Sequence, residues 1–123
     1  MDFRVDVRWL LERQAEVLPR EPAVHDYSAL VAAVARHRVN TPRLGEEADP
    51  AWSAAALLHT VMRLRPLPAR NALFACAAAV AYLAAAGAAI DPPYGELVDL
   101  ARAVQDDAVD VYGVAEHLRA WQV

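Results

Sequence analysis

No lysine occurs in this chain of 123 residues, so all 12 of its basic residues are arginine. Hydroxyl nucleophiles are nearly as scarce: Ser28, Ser53, Thr41 and Thr60 are the full set. A single cysteine, Cys76, excludes an internal disulfide and any multi-cysteine metal site, and its alanine-rich surroundings read as inert packing. No two histidines stand i, i+3 or i+4 on an expected helix, so no zinc or iron site is expected. The opening Met1-Asp2-Phe3-Arg4 lacks the charged-then-apolar order of a signal peptide. Acids are missing from Pro50 to Ile90, where Arg63, Arg65 and Arg70 give a local charge of +3; against a net −4, the remainder carries −7. That balance argues against general nucleic-acid binding, which needs a basic surface, while leaving room for a local anion site.

What is abundant is alanine. Apolar residues make up 57% of the chain and charged residues 23%, the composition of a compact fold, and the length suits one domain over residues 1–123. Ala72 to Ile90 is 19 residues without charge, close to membrane length, yet 11 of them are alanine, too weakly apolar to drive insertion. A buried helix fits better. The protein is expected to be soluble and cytoplasmic, without a membrane partner.

Apolar periodicity predicts helices throughout. The first begins after Asp6 as N-cap and runs to about Leu18, with Pro19 and Pro22 ending it. The second starts after Asp26, with Tyr27, Leu30, Val31 and Val34 at helical spacing. Arg38 to Asp49 breaks the pattern and reads as a surface loop or short hairpin. Asp49-Pro50 then caps a helix to about Leu64, stopped by Pro66 and Pro68. The next, from about Ala69–Asn71 to Gly87, is apolar on every side, so Ala72–Ala86 is expected to be the central, most buried helix. Asp91-Pro92-Pro93 starts a fifth and Asp110 caps a sixth. Alternation is confined to Phe3-Val5-Val7. The expected fold is an all-α, six-helix single domain.

Arg65-Pro-Leu-Pro-Ala-Arg70-Asn71 joins two of these helices and is the most informative segment. A helix N-terminus presents unpaired N–H groups and partial positive charge, and Arg65 and Arg70 add forked donors that suit phosphate. Asn71 can cap the helix or donate to the same anion. The plainer reading is a proline turn whose arginines pair with acids elsewhere.

Residues Ala54–Gly87, AAALLHTVMRLRPLPARNALFACAAAVAYLAAAG, resemble the core of Fic/Doc domains, whose motif is His-Pro-Phe-x-Asp/Glu-Gly-Asn-Lys/Arg-Arg between two helices. Arg65 takes the histidine place, Pro66 the proline and Leu67 the phenylalanine. Ala69 takes the acid, Arg70 the glycine, Asn71 the asparagine, and Ala72 and Leu73 the two basic residues. Glu96–Trp121 is similar to the C-terminal helices of Doc-type toxins, and Val24–Arg38 to an early helix of the same domain. The resemblance implies a Fic/Doc-like bundle around the alanine-rich helix.

In active relatives the histidine is the general base, the acid binds magnesium and the basic pair holds nucleotide phosphates during AMP or phosphoryl transfer to a protein. Here only Pro66 and Asn71 match. Arginine does not act as a base near neutral pH, its pKa lying above ~12. Ala69 binds no metal. Loss of a general base alone costs ~10²–10⁴-fold in rate. The resemblance therefore implies a toxin-component homologue that has lost its transferase chemistry and binds an anion or nucleotide phosphate weakly through Arg65, Arg70 and Asn71. The competing reading is an active enzyme with a rewired site acting on a phosphorylated substrate, His59 being the one substitute base within reach. A third is a structural homodimer without ligand. Partners implied by the resemblance are an antitoxin-like or target protein, docking near Arg38–Asp49 or the Arg65 turn. His37 and His117 are expected at helix C-termini, where a partly charged imidazole is favourable. Trp9, Trp52 and Trp121 are expected on apolar faces rather than in a base-stacking platform.

Overall fold

The computed structural model describes residues 5–18, 23–39, 44–45 and 48–123. Six helices follow in order: α1 Val7–Val17, α2 Tyr27–Val39, α3 Pro50–Leu64, α4 Asn71–Ala85, α5 Glu96–Gln105 and α6 Val111–Ala120. Among the described residues there is no strand, only an isolated bridge between Ile90 and Gln122. The fold is all-α, as expected. No helix among these residues is long and apolar enough to cross a membrane.

Four helices begin where an aspartate takes up an orphan N–H of the first turn, α2 among them, with Asp26 accepting from the Ala29 amide at 3.3 Å. Asp6 accepts from the Trp9 amide at 2.8 Å, Asp49 from Trp52 at 2.9 Å and Asp110 from Gly113 at 2.9 Å. α5 starts later than the Asp91-Pro92-Pro93 signal suggests. It follows Gly95, whose φ of 83° turns the chain, and places Glu96 and Asp99 in its first turn, where acids favour the helix dipole.

The expectation of Ala72–Ala86 as the central helix is corrected. α3 is the one surrounded, packing against α2, α4, α5 and α6, and ten of its 15 residues are buried. α4 buries seven of 15 and leaves one side open, with Leu73 43% and Val80 41% exposed. An all-apolar helix reads as interior from sequence, but most of α4's side chains are alanine, whose exposure costs little. The larger side chains of α3, among them Trp52, Leu57, Leu58 and Met62, gain more from the centre. Trp52 is buried against Tyr112 of α6, ring centroids 5.0 Å apart, so it belongs to the core as expected.

α3 is fastened at both ends. Asp49 caps it and also receives Arg119 of α6, from Nε at 2.8 Å and Nη2 at 3.1 Å. At the other end Arg63 pairs with Asp107 in the α5–α6 connection. The loop expected at Arg38–Asp49 lies partly outside the described residues, as do Phe3, Pro19 and Pro22. Leu44 and Gly45, which are described, form an exposed turn.

Candidate anion site at the α3–α4 turn

The segment from Arg65 to Arg70 turns the chain from α3 into α4, and its inward side is fixed by hydrogen bonds. The Arg65 N–H closes α3 by donating to the Val61 carbonyl at 2.8 Å. The Pro66 carbonyl accepts from the N–H groups of His25 at 3.0 Å and Asp26 at 3.3 Å, which docks the turn onto the start of α2. Leu67 is buried in the core. Its N–H donates to Asn71 Oδ1 at 3.0 Å, and its carbonyl accepts from Asn71 Nδ2 at 2.8 Å.

That last pair changes the role expected of Asn71. Both ends of its carboxamide are engaged by Leu67 and the residue is 8% exposed, so the side chain braces the turn instead of capping α4. Asn71 holds the turn that carries the arginines. No side chain caps α4 at all: Arg70 occupies the N-cap position without a capping bond.

The outward side of the turn is built differently. Arg65 and Arg70 both have positive φ, 48° and 63°, a left-handed conformation that costs a side-chain-bearing residue about 1–2 kcal/mol. The buried anchors on either side hold them there. Both side chains are exposed. With Pro68, Ala69 and Ala72 they form one wall of an open concavity of about 300 Å³. The facing wall is Arg102 and Gln105 from the last turn of α5. None of these three arginine side chains has an ion pair or hydrogen bond among the described residues. Arg63, the fourth arginine nearby, is taken by Asp107. Periodicity cannot have placed Arg102 here. The helix it sits on is legible, but which edge of that helix faces the turn depends on tertiary packing.

His59 is not part of this arrangement. It lines a separate concavity of about 460 Å³ formed with residues Asp107–Asp110. Burial pushes its pKa below the ordinary histidine value, and Arg36 and Arg63 push it further, against the weaker pull of Asp110 and Asp107. Its Nδ1 is buried without a hydrogen-bond partner. The imidazole is neutral near pH 7, but it does not face the arginines.

Two other histidine expectations are resolved. His37 lies in the last turn of α2, yet it is half-buried. Its Nδ1 donates to the Ser53 carbonyl at 3.0 Å, and its ring meets Tyr82 edge-on at 4.6 Å. Burial lowers its pKa more than the Ser53 bond raises it, and Arg38 lowers it further. A charged ring at a helix end is thus the wrong reading of His37. His117 packs on Trp121 and reaches the Gly113 carbonyl at 2.9 Å within α6. Among the described residues no group of histidine, cysteine and acid side chains is arranged to hold a metal ion. Cys76 is buried and its thiol is pushed up to about 12 by desolvation, as expected of an inert packing cysteine.

No model of a known protein family matches this chain, and no curated protein is significantly similar to it.

Proposed function

We propose that this chain is a Fic/Doc-like homologue of a toxin component that works by binding, holding a small oxyanion in the concavity between the α3–α4 turn and α5. The carrying observation is that Arg65 and Arg70, raised on a turn anchored through Asn71 and Pro66, meet no acid among the described residues and line one concavity. Guanidinium groups without carboxylate partners favour phosphate and sulfate, which accept forked, charge-assisted bonds.

The same lining supports binding over catalysis. None of the described residues around the concavity takes up a proton near neutral pH, so a transfer needing a general base finds none there. His59, the substitute considered from sequence, opens into a different concavity. The proposed partner, carried over from the resemblance alone, is an antitoxin-like or target protein.

Calorimetric titration of the chain with inorganic phosphate at low salt tests the reading. Binding is expected in the millimolar to micromolar range, weakening with added salt. Arg65→Ala and Arg70→Ala should each weaken it about tenfold, the size of one lost charge-assisted bond after desolvation is set against it. Affinity unchanged in both variants would leave these arginines as ordinary surface charge.

A further inference from the structure

Building on that anion-binding reading, we infer that the concavity is a receptor for a compact phosphate chain, gripped by Arg65 and Arg70 from the turn and by Arg102 from α5, and that a nucleoside attached to that chain adds nothing to recognition.

Three observations carry this. The first is charge. Three arginines from two different elements line one concavity, and no carboxylate stands among its described lining residues. The acids of α5 do not cancel them: Glu96 and Asp99 line a second concavity on another side of that helix, with Leu100 and Trp121. Asp107, just beyond α5, is paired with Arg63. A monocarboxylate satisfies one arginine and leaves the other two unmatched. A phosphomonoester brings about −1.5 to −2 charge and three acceptor oxygens, and a diphosphate brings more of both. The longer group offers acceptors and charge for arginines of both elements.

The second observation is the absence of any platform for a base. Besides the arginines, the described lining is Pro68, Ala69, Ala72, Asn71 and Gln105. None is aromatic, and the Asn71 carboxamide already donates to and accepts from Leu67. Base recognition by stacking draws about 1–3 kcal/mol from an aromatic ring, and no aromatic ring is among the described residues that line this concavity.

The third is the separate anchoring of the two walls. The turn is held by Leu67 and Pro66, whereas Arg102 rides on α5, which is packed through Leu100, Ala101 and Val104. The backbone that carries each set of donors is therefore in place before ligand arrives, so a group that spans them has only side chains left to order.

Titration of the full chain with inorganic phosphate, inorganic pyrophosphate, ADP and adenosine separates the possibilities. Pyrophosphate should bind about tenfold more tightly than phosphate, reflecting at least one added charge-assisted contact. ADP should match pyrophosphate within about threefold, and adenosine should give no heat. Arg102→Gln, at an exposed side chain with no ion pair among the described residues, should lower pyrophosphate affinity about tenfold and so erase most of the preference over phosphate. ADP binding tenfold or more tightly than pyrophosphate would overturn the inference, as would an unaltered preference in Arg102→Gln. Either result leaves the simpler anion site standing. No binding of any phosphate at low salt would remove both.

Discussion

At the residue scale, Asn71 shows how little of the turn's architecture depends on charge. Its carboxamide satisfies a buried N–H and a buried carbonyl of Leu67 that no other described group reaches. Asn71→Ala deletes both bonds and strands two backbone groups away from water, which should cost about 2–3 kcal/mol of stability in urea unfolding. It should also weaken phosphate binding without removing a charge, because Arg65 and Arg70 lose the frame that holds their left-handed backbone. Unchanged stability would mean that water reaches the turn. From sequence, Asn71 stands out as a helix-start residue next to two arginines, and a cap or an anion donor is the natural reading. Which of its possible partners it chooses is decided by Leu67 turning inward, a tertiary event that leaves no local signature.

At the element scale, helix starts were the most legible feature, because an N-cap is a local interaction written in adjacent residues. Asp6, Asp49-Pro50 and Asp110 each mark a start that the structure has. The relative depth of the helices was not legible, since α3 and α4 are both apolar and only packing against four neighbours distinguishes α3. Asp49 also does something its sequence position does not reveal, binding Arg119 seventy residues away. Burial pushes the Asp49 carboxyl up, but Arg119 and the Trp52 N–H outweigh it and hold the group below the usual carboxylate value of 3.8. The stability this contributes is present above about pH 3.8 and is lost as pH falls below it. Two variants separate its roles. Asp49→Asn keeps a capping oxygen and loses the ion pair, an expected cost of about 1 kcal/mol; Asp49→Ala loses both, about 2–3 kcal/mol. Equal losses in thermal unfolding would show that the cap contributes nothing.

At the scale of the whole molecule, the two histidines with lowered pKa set the response to mild acid. His37 and His59 are both held neutral chiefly by burial, one joining α2, α3 and α4, the other between α3 and the α5–α6 connection. In the unfolded chain each regains its ordinary value of 6.5, so below that pH the unfolded state binds more protons. Stability is therefore expected to be flat above about pH 7 and to fall as pH drops through 6.5 toward 5, before Asp49 begins to matter. Replacing His37 by Gln should flatten part of that decline in a series of denaturant titrations. A decline of the same steepness in the variant would assign it elsewhere.

The end of the described chain is tied back rather than trailing. Val123 donates to the Ala89 carbonyl at 3.1 Å, Asp91 donates to Trp121 at 2.8 Å, and Ile90 and Gln122 face each other between them. This short antiparallel seam joins the residues after α6 to the connection between α4 and α5. Arg119, one turn earlier, ties the same helix to the start of α3. α6 is therefore expected to open together with its flanking backbone, a unit that hydrogen exchange would detect. The Asp91 and Val123 amides, each bonded across this seam, are accordingly expected to exchange at the rate set by the opening of that helix.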